Sequence, residues 1–199
     1  MGMDSPLVIP LVGLVYLLGF GALCHVRGQG LSARFAVEGL IITAIGTAMR
    51  VVSVLVHPVF FLIALYLITM RVRLLIDLGN WFISKGKLKE ALTVYRFALH
   101  VGPDAISRQM VLINRGVALL RARHAEEAYH ALTEALAGVD ERLAARHLAA
   151  SYYNLGLACR RTGREPEAIR RFNEAIDAWP DSVFGRASRR ALSKGANDS

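Results

Sequence analysis

The sequence predicts an all-α protein in which N-terminal transmembrane helices precede an α-solenoid, a stack of about three helix–turn–helix units closed by a capping helix. Two observations predict this class. The first 70 residues are nearly uncharged, whereas the remainder of the 199-residue chain places apolar residues at helical spacing among many charges. In that remainder, small and large residues recur in fixed columns, at offsets of 37 and then 40 residues.

Composition excludes several other classes. The chain is 54% hydrophobic and 20% charged, with a net charge of +8. Its two cysteines, Cys24 and Cys159, lie far apart, which argues against a disulfide scaffold. A flexible tail is expected at residues 195–199.

Residues 6–24 form an uncharged apolar run that we predict to be a membrane anchor. At about 1.5 Å per helical residue, its length matches the roughly 30 Å hydrocarbon core of a bilayer. Only Asp4 precedes the run as a charge, so the basic region of a signal peptide is missing. We therefore interpret it as an uncleaved anchor.

A second apolar region spans residues 35–70 and is divided at Pro58, which disfavours helix just before itself. Before the proline, small and polar residues recur every three or four positions and would share one helix face: Gly39, Thr43, Gly46, Arg50, Ser53 and His57. This intramembrane stripe would either face a partner helix or lie at the headgroups with Arg50 snorkelling. After Pro58, the helix is expected to continue straight past Arg71 into the second part of the chain.

Sidedness follows from the basic residues, which cluster at residues 27–34 and 71–89 and do not precede the first run. The positive-inside rule then favours a cytoplasmic position for both segments. This arrangement needs three crossings, or one crossing and a re-entrant hairpin. A flat helix over 35–50 followed by a crossing at 51–70 would instead separate the two segments.

Three segments of the remaining chain align with one another: residues 71–104, 108–138 and 143–181. Their shared columns are Gly79, Gly116 and Gly156; Ala91, Ala128 and Ala168; Tyr95, Leu132 and Phe172; and Ala98, Ala135 and Ala175. The pattern resembles the tetratricopeptide repeat, a unit of about 34 residues with small residues in its first helix and a closing proline. The middle segment departs from it, because Arg123 replaces the turn glycine and no proline closes the unit.

Packing explains the columns. Glycine and alanine allow two helices to approach closely, and Tyr95, Leu132 and Phe172 are expected to fill the space between neighbouring units. One unit cannot bury its apolar face alone, so the stack needs an end cap. We predict a capping helix over residues 182–194, with an inward face of Val183, Phe184, Ala187 and Leu192.

The resemblance implies that the first helices of the units line a groove for a protein or peptide partner. Carried over to this chain, the groove residues are Asn80, Ile83, Ser84, Ile113, Asn114, Val117, Arg121, Tyr153, Asn154, Leu157, Arg160 and Arg161. The asparagine amides can donate to and accept from an extended backbone. The alternative is that Asn154 simply satisfies a neighbouring helix.

No motif indicates catalysis, so we predict neither an enzyme nor a small-molecule substrate. There is no glycine-rich phosphate loop and no nucleophile elbow, and the histidines are scattered, which predicts no cofactor and no metal site. Arg160, Arg161, Arg164, Arg170 and Arg171 give the third unit a basic surface suited to an acidic partner or anionic lipid. Too few aromatic residues accompany it to indicate nucleic acid.

These features predict a membrane-localised adaptor that binds a partner protein through its repeats, with the repeats in the cytoplasm. The alternative is an accessory or assembly subunit of an integral membrane complex for transport, secretion or pilus formation, contacting it through the stripe at residues 39–57. A third hypothesis, a proton-linked transport element, would use Glu38, Arg50 and His57.

Overall fold

The structure, a computed structural model, describes residues 5, 7–26, 32–52, 54–137 and 145–197. Within these ranges the chain forms ten helices and no strand, which confirms the all-α prediction. The helices are α1 (Val8–Val26), α2 (Ala33–Val51), α3 (Pro58–Thr69), α4 (Arg71–Ser84), α5 (Leu88–His100), α6 (Ala105–Arg121), α7 (Ala125–Ala137), α8 (Ala145–Arg161), α9 (Glu165–Ala178) and α10 (Val183–Asn197). The chain divides into two compact units, residues 1–74 and 75–199.

In the first unit, α1 and α2 form an antiparallel hairpin. Gly13 of α1 lies against Thr43 of α2, and Gly39 of α2 lies against Leu17 of α1. A Cβ atom added at either glycine would come within 2.5 Å of the facing side chain, so both contacts require glycine. Because the partners occur in opposite order along the two helices, the helices run in opposite directions.

Helix α3 packs beside this hairpin and runs parallel to α1. Phe61 and Leu65 of α3 form a buried cluster with Ile9 at the start of α1. Further along both helices, Tyr16 Oη lies 2.7 Å from Thr69 Oγ1. The contacts occur in the same order along both helices, so α3 ends toward the end of the hairpin where α1 meets α2.

The expectation of a straight helix past Arg71 is wrong. The chain bends by 71° between α3 and α4, because Met70 leaves helical geometry at φ −98° and ψ 4°. Two ties hold the first residue after the bend: Arg71 donates to the Ile68 carbonyl of α3 at 2.6 Å, and it binds Glu38 of α2 at 2.6 and 2.9 Å.

Among the described residues, one helix is long and apolar enough to cross a membrane, namely Val8–Val26 near the N-terminus. The bent pair Pro58–Thr69 and Arg71–Ser84 meets the criterion only if its two helices count as one span. A signal sequence meets the same criterion of length and composition.

The second unit contains three antiparallel helix pairs, α4–α5, α6–α7 and α8–α9, followed by α10. The turns inside the pairs share one geometry, with a left-handed residue at φ +73° (Gly86), +65° (Arg123) and +76° (Gly163). In each turn the following amide reaches five residues back along the preceding helix, at 2.8–2.9 Å. Arg123 therefore occupies a backbone position that favours glycine.

Each helix pair closes on the same contact. The first helix contributes a glycine, and a large buried residue of the second helix lies against it: Gly79 with Tyr95, Gly116 with Leu132 and Gly156 with Phe172. The large residues therefore fill the space within their own pair. Leu132 and Phe172 also belong to the buried cluster that spans α6–α7 and α8–α9, so these two residues pack within their own pair and are part of the core shared by neighbouring pairs.

The terminal helix α10 covers the last pair with a face that differs from the predicted one. Phe184 and Leu192 are partly buried as expected, but Val183 is 69% exposed. Gly185 and Ser188 take the inward positions, because Gly185 sits against the carbonyls that end the preceding segment. The helix begins after the Ser182 cap and ends at Asn197, beyond residue 194, while residues 198–199 lie outside the described part.

Candidate functional site

The predicted groove residues of α4 form the first part of the candidate surface. Asn80 and Ser84 are exposed and Ile83 is half-buried. The Tyr95 hydroxyl donates to Asn80 Oδ1 at 2.7 Å, so this amide is oriented by the second helix of its own pair. Burial raises the pKa of Tyr95 to about 12, which keeps the hydroxyl a donor at physiological pH.

On α6 the predicted residues differ in accessibility. Ile113 is only 6% exposed and belongs to the core with Leu112, so it offers no groove surface. Asn114 and Val117 are half-buried and Arg121 is exposed. These latter three are the α6 residues that a partner can contact.

On α8 an aromatic side chain is the most fixed feature. Tyr153 lies between Phe172 and Phe184, with ring centroids 5.9 and 5.8 Å away. Leu157, one turn further on, is half-buried. Asn154 Nδ2 donates to the Ala150 carbonyl at 2.7 Å, and the same bond joins Asn114 to its own helix. Neither amide nitrogen is used for a neighbouring helix.

Two predicted groove arginines bind within the protein. Arg160 donates to Glu165 at 3.0 Å and to the Ala191 carbonyl of α10 at 3.0 Å, and its guanidinium lies 4.8 Å from the Phe172 ring centre. Arg161 donates to the Leu120 carbonyl at the end of α6, at 2.7 Å. Both side chains thus link α8 to another helix of the stack, Arg160 to α10 and Arg161 to α6.

The basic surface predicted for the third unit is largely neutralised by acids. Arg164 makes two bonds to Glu126, at 2.6 and 3.0 Å, and lies over the Tyr129 ring. The Arg164 hydrogen bonds hold the pKa of the Glu126 carboxyl below its usual value. Arg171 similarly contacts Glu167 and Glu174. Sequence analysis missed the Arg164–Glu126 pair, because the two residues are 38 positions apart and no local spacing links them. The Arg171 pairs lie at helical spacing, which could have revealed them.

The intramembrane stripe is used mostly inside the first unit. Gly39 and Thr43 contact α1, and Gly46 lies against Phe61 of α3 and Ile9 of α1. The partner helices of this part of the stripe are therefore the chain's own.

The far end of the stripe departs from the predicted single helix face. Helix α2 ends at Val51, so Arg50 remains on it as a half-buried residue. His57 caps α3 instead, with its ring accepting from the Val59 amide, because Pro58 starts a new helix. Ser53 lies outside the described residues.

An apolar groove of roughly 600 Å³ remains open beside α2. It is lined by Pro10, Leu40, Thr43, Ala44, Thr47, Ala48, Val51 and Val52. Both threonine hydroxyls donate to carbonyls of their own helix, so the groove offers almost no polar groups. Small side chains of this kind allow another helix to approach closely.

Titratable groups form no obvious reactive centre in the described part of the chain. No three histidine, cysteine or acidic residues come together there in a way that could hold a metal ion. Burial raises the pKa of the Cys159 thiol to about 11, which opposes a thiolate nucleophile. Glu38 is bound by both Arg34 and Arg71, so its carboxylate is fixed in an ion-pair network.

Comparison with known proteins adds one match. Residues 107–181 match the family described as tetratricopeptide repeat. This range covers the helix pairs α6–α7 and α8–α9, while α4–α5 shares their turn geometry and glycine contact. No curated protein matches the chain. Residues 107–181, with their repeated helix pairs, are therefore similar to tetratricopeptide repeats.

Proposed function

We propose that the chain is a membrane-anchored adaptor that binds a partner protein or peptide along the first helices of its repeats. The observation that carries this proposal is the set of matching helix pairs, part of which matches a family of protein-binding repeats. Half-buried apolar residues such as Val117, Tyr153 and Leu157 give a partner an apolar contact, and Arg121 adds a charge beside them.

Membrane anchoring is supported by α1 and by the composition of the first unit. Its helices expose large apolar side chains such as Leu18, Ile45 and Phe60, at 64, 55 and 73%. Water disfavours such a surface, whereas lipid tails accommodate it. A bilayer around the three packed helices accounts for it.

A cytoplasmic position of the repeats is supported by helix direction. Because α3 runs parallel to α1, the chain enters α4 at the end of the first unit where α2 begins. Arg34 and Arg71, the first basic residues of α2 and α4, then lie at one end, which the positive-inside rule assigns to the cytoplasm. The 12 residues of α3 span about 18 Å, less than the roughly 30 Å of a hydrocarbon core, so α2 and α3 support the re-entrant hairpin as much as a third crossing.

The adaptor proposal is non-catalytic. Its chemistry is limited to apolar contacts, hydrogen bonds and charge along the repeat surface. Lipid is the second contact that it requires.

Site-specific cross-linking tests the proposal. A photoreactive phenylalanine analogue at Val117 or Leu157, activated in intact membranes, should capture one partner that mass spectrometry identifies. The same analogue at Asn173, an exposed residue of the second-helix surface, is the matched control. Equal capture of unrelated proteins at all three positions would refute a binding surface on the first helices.

The groove beside α2 favours a second candidate, an accessory subunit of a membrane complex for transport, secretion or pilus assembly. Here a transmembrane helix of another subunit would occupy the groove. Ala48→Phe should then disassemble the complex, while Ile45→Phe, on an exposed position outside the groove, should leave it intact. Identical complex recovery from both variants would exclude this candidate.

A further inference from the structure

Helix α4 exposes two apolar side chains whose aligned positions are buried elsewhere in the stack. The Trp81 position is buried in both other helix pairs, and the Leu78 position is buried in α8–α9. Trp81 is 50% exposed and Leu78 is 42% exposed. The residues aligned with Trp81 are Ala118 and Ala158, both fully buried, and Leu155 aligned with Leu78 is also fully buried. The pair α4–α5 thus carries a tryptophan where the other two helix pairs carry an alanine.

The aligned positions show what normally covers this face. Leu155 and Ala158 belong to a core cluster together with Leu119 and Ala131 of the preceding helix pair. No helix pair precedes α4–α5 in the stack. Even so, this face of α4 carries larger apolar side chains than the aligned faces of the other pairs. A residue as large as tryptophan contributes favourable free energy when it leaves water, so this face fits an apolar or amphipathic occupant.

Charge identifies the chemistry of that occupant. Residues 71–89 contain five basic residues and one acid, Asp77. Lys85, Lys87 and Lys89 are all exposed and follow Trp81 directly. A second copy of the chain would bring like charges together across the contact. An anionic lipid surface instead offers phosphates to the lysines and an amphipathic layer to the indole ring.

The place of α4 in the chain supplies the proximity to lipid. Helix α4 begins at Arg71, directly after the apolar helix α3 of the proposed membrane unit. Trp81 then lies only about 15 Å along α4 from the bend, within reach of the headgroups. We propose that α4 is an interfacial helix, with Leu78 and Trp81 inserted among anionic phospholipids and the lysines bound to their headgroups; this rests on the membrane anchoring proposed above.

Tryptophan fluorescence of the full chain in lipid nanodiscs tests this inference. The chain has two tryptophans, so Trp179→Phe leaves Trp81 as the sole reporter. Trp81 should be quenched by phospholipids brominated on their acyl chains and shielded from aqueous iodide. The shielding should be stronger with phosphatidylglycerol than with phosphatidylcholine. The matched control, Trp81→Phe, leaves Trp179, which should be quenched by iodide only.

The remaining outcomes separate the inference from the adaptor proposal. A triple Lys85→Gln, Lys87→Gln, Lys89→Gln variant should lose the difference between the two lipids. If iodide quenches Trp81 in a chain that stays in the nanodisc, the inference fails and the anchor stands. If neither quencher reaches Trp81, protein covers it and the inference fails as well. A chain that never enters nanodiscs refutes both.

Discussion

Arg123 is the residue at which this chain departs most clearly from its own repeat. It holds φ +65° in a turn where the two equivalent residues are glycines at +73° and +76°. A left-handed backbone disfavours any residue with a Cβ by roughly 1–2 kcal/mol. Glycine avoids this cost, but it loses more conformational entropy on folding, which offsets roughly 0.5–1 kcal/mol of the stabilisation. Arg123→Gly should therefore raise the free energy of unfolding by up to about 1 kcal/mol.

Chemical denaturation followed by circular dichroism measures this change on the detergent-solubilised chain. Arg123→Ala is the control, because it removes the guanidinium but keeps the Cβ and should leave stability nearly unchanged. Equal effects of the two variants would show that the side chain, and not the backbone, sets stability at this turn.

Cys159 should make stability depend on pH in the alkaline range. Burial raises its pKa to about 11 from the model-peptide value of 9.0, so the folded state retains the proton longer than the unfolded state. Its contribution is therefore complete below pH 9 and is lost as pH rises toward 11, by up to about 2 kcal/mol. Denaturation between pH 8 and 11 should show a steeper loss for the native chain than for Cys159→Ala. Parallel curves would contradict a buried thiol.

At the residue scale, the sequence predicted features that recur at aligned positions of the repeats. It did not predict contacts between residues that lie far apart in the chain. The alignment alone located the turn residue Arg123 in place of glycine. It did not reveal that Arg160 and Arg161 bind α10 and α6, because hydrogen bonds to main-chain carbonyls leave no trace in residue spacing. Ile113, a lining residue by alignment, is in fact part of the core, where it packs in a cluster with Leu112 and Ala135.

At the scale of elements, the glycine contact within each helix pair decides how closely its helices approach. In α8, a Cβ on Gly156 would lie 2.7 Å from Phe172 Cε1. Glycine to alanine in a helix normally stabilises by about 1 kcal/mol, whereas overpacking a core costs about 1–3 kcal/mol. Overpacking should win, because the Phe172 ring is already in contact with Tyr153 and Arg160.

Gly156→Ala should therefore lower the thermal midpoint of the repeats. Asn173→Ala, on the exposed side of α9, gains helix propensity without a new contact and should leave the midpoint unchanged or slightly higher. A rise in the midpoint for Gly156→Ala would mean that the ring can move aside at no cost.

Element ends were harder to predict than element type. Helical spacing predicted each helix of the repeats, since their apolar faces are long and regular. The stripe from Gly39 to His57 also has helical spacing, yet α2 ends at Val51. Periodicity shows where apolar residues recur, but it does not predict that the helix ends several residues before Pro58. The 71° bend at Met70 was likewise not predicted, because no proline or glycine lies beside it in the sequence.

At the scale of the whole molecule, the direction of α3 within the first unit determines where the repeats emerge. From the sequence, three arrangements remained open: three crossings, a re-entrant hairpin and a flat helix. The distribution of basic residues indicates which loops share a side, but it does not indicate how the helices pack. The contacts Ile9 with Phe61 and Tyr16 with Thr69 make α3 parallel to α1. In the bilayer proposed here, the start of α2 and the start of α4 then share one side.

Protease accessibility in vesicles of known orientation tests that arrangement for the full chain. In inside-out vesicles, protease should remove the repeats and leave a membrane fragment that ends near residues 71–89, while right-side-out vesicles should protect the repeats until detergent is added. A single cysteine at position 28, in a chain whose own two cysteines are replaced by alanine, should react with an impermeant thiol reagent in the same vesicles in which the repeats are cut. Labelling and cleavage in opposite vesicle types would show that an odd number of crossings separates the two segments. That result would contradict the parallel course of α1 and α3, because helices packed as they are here return the chain to the side on which α2 begins.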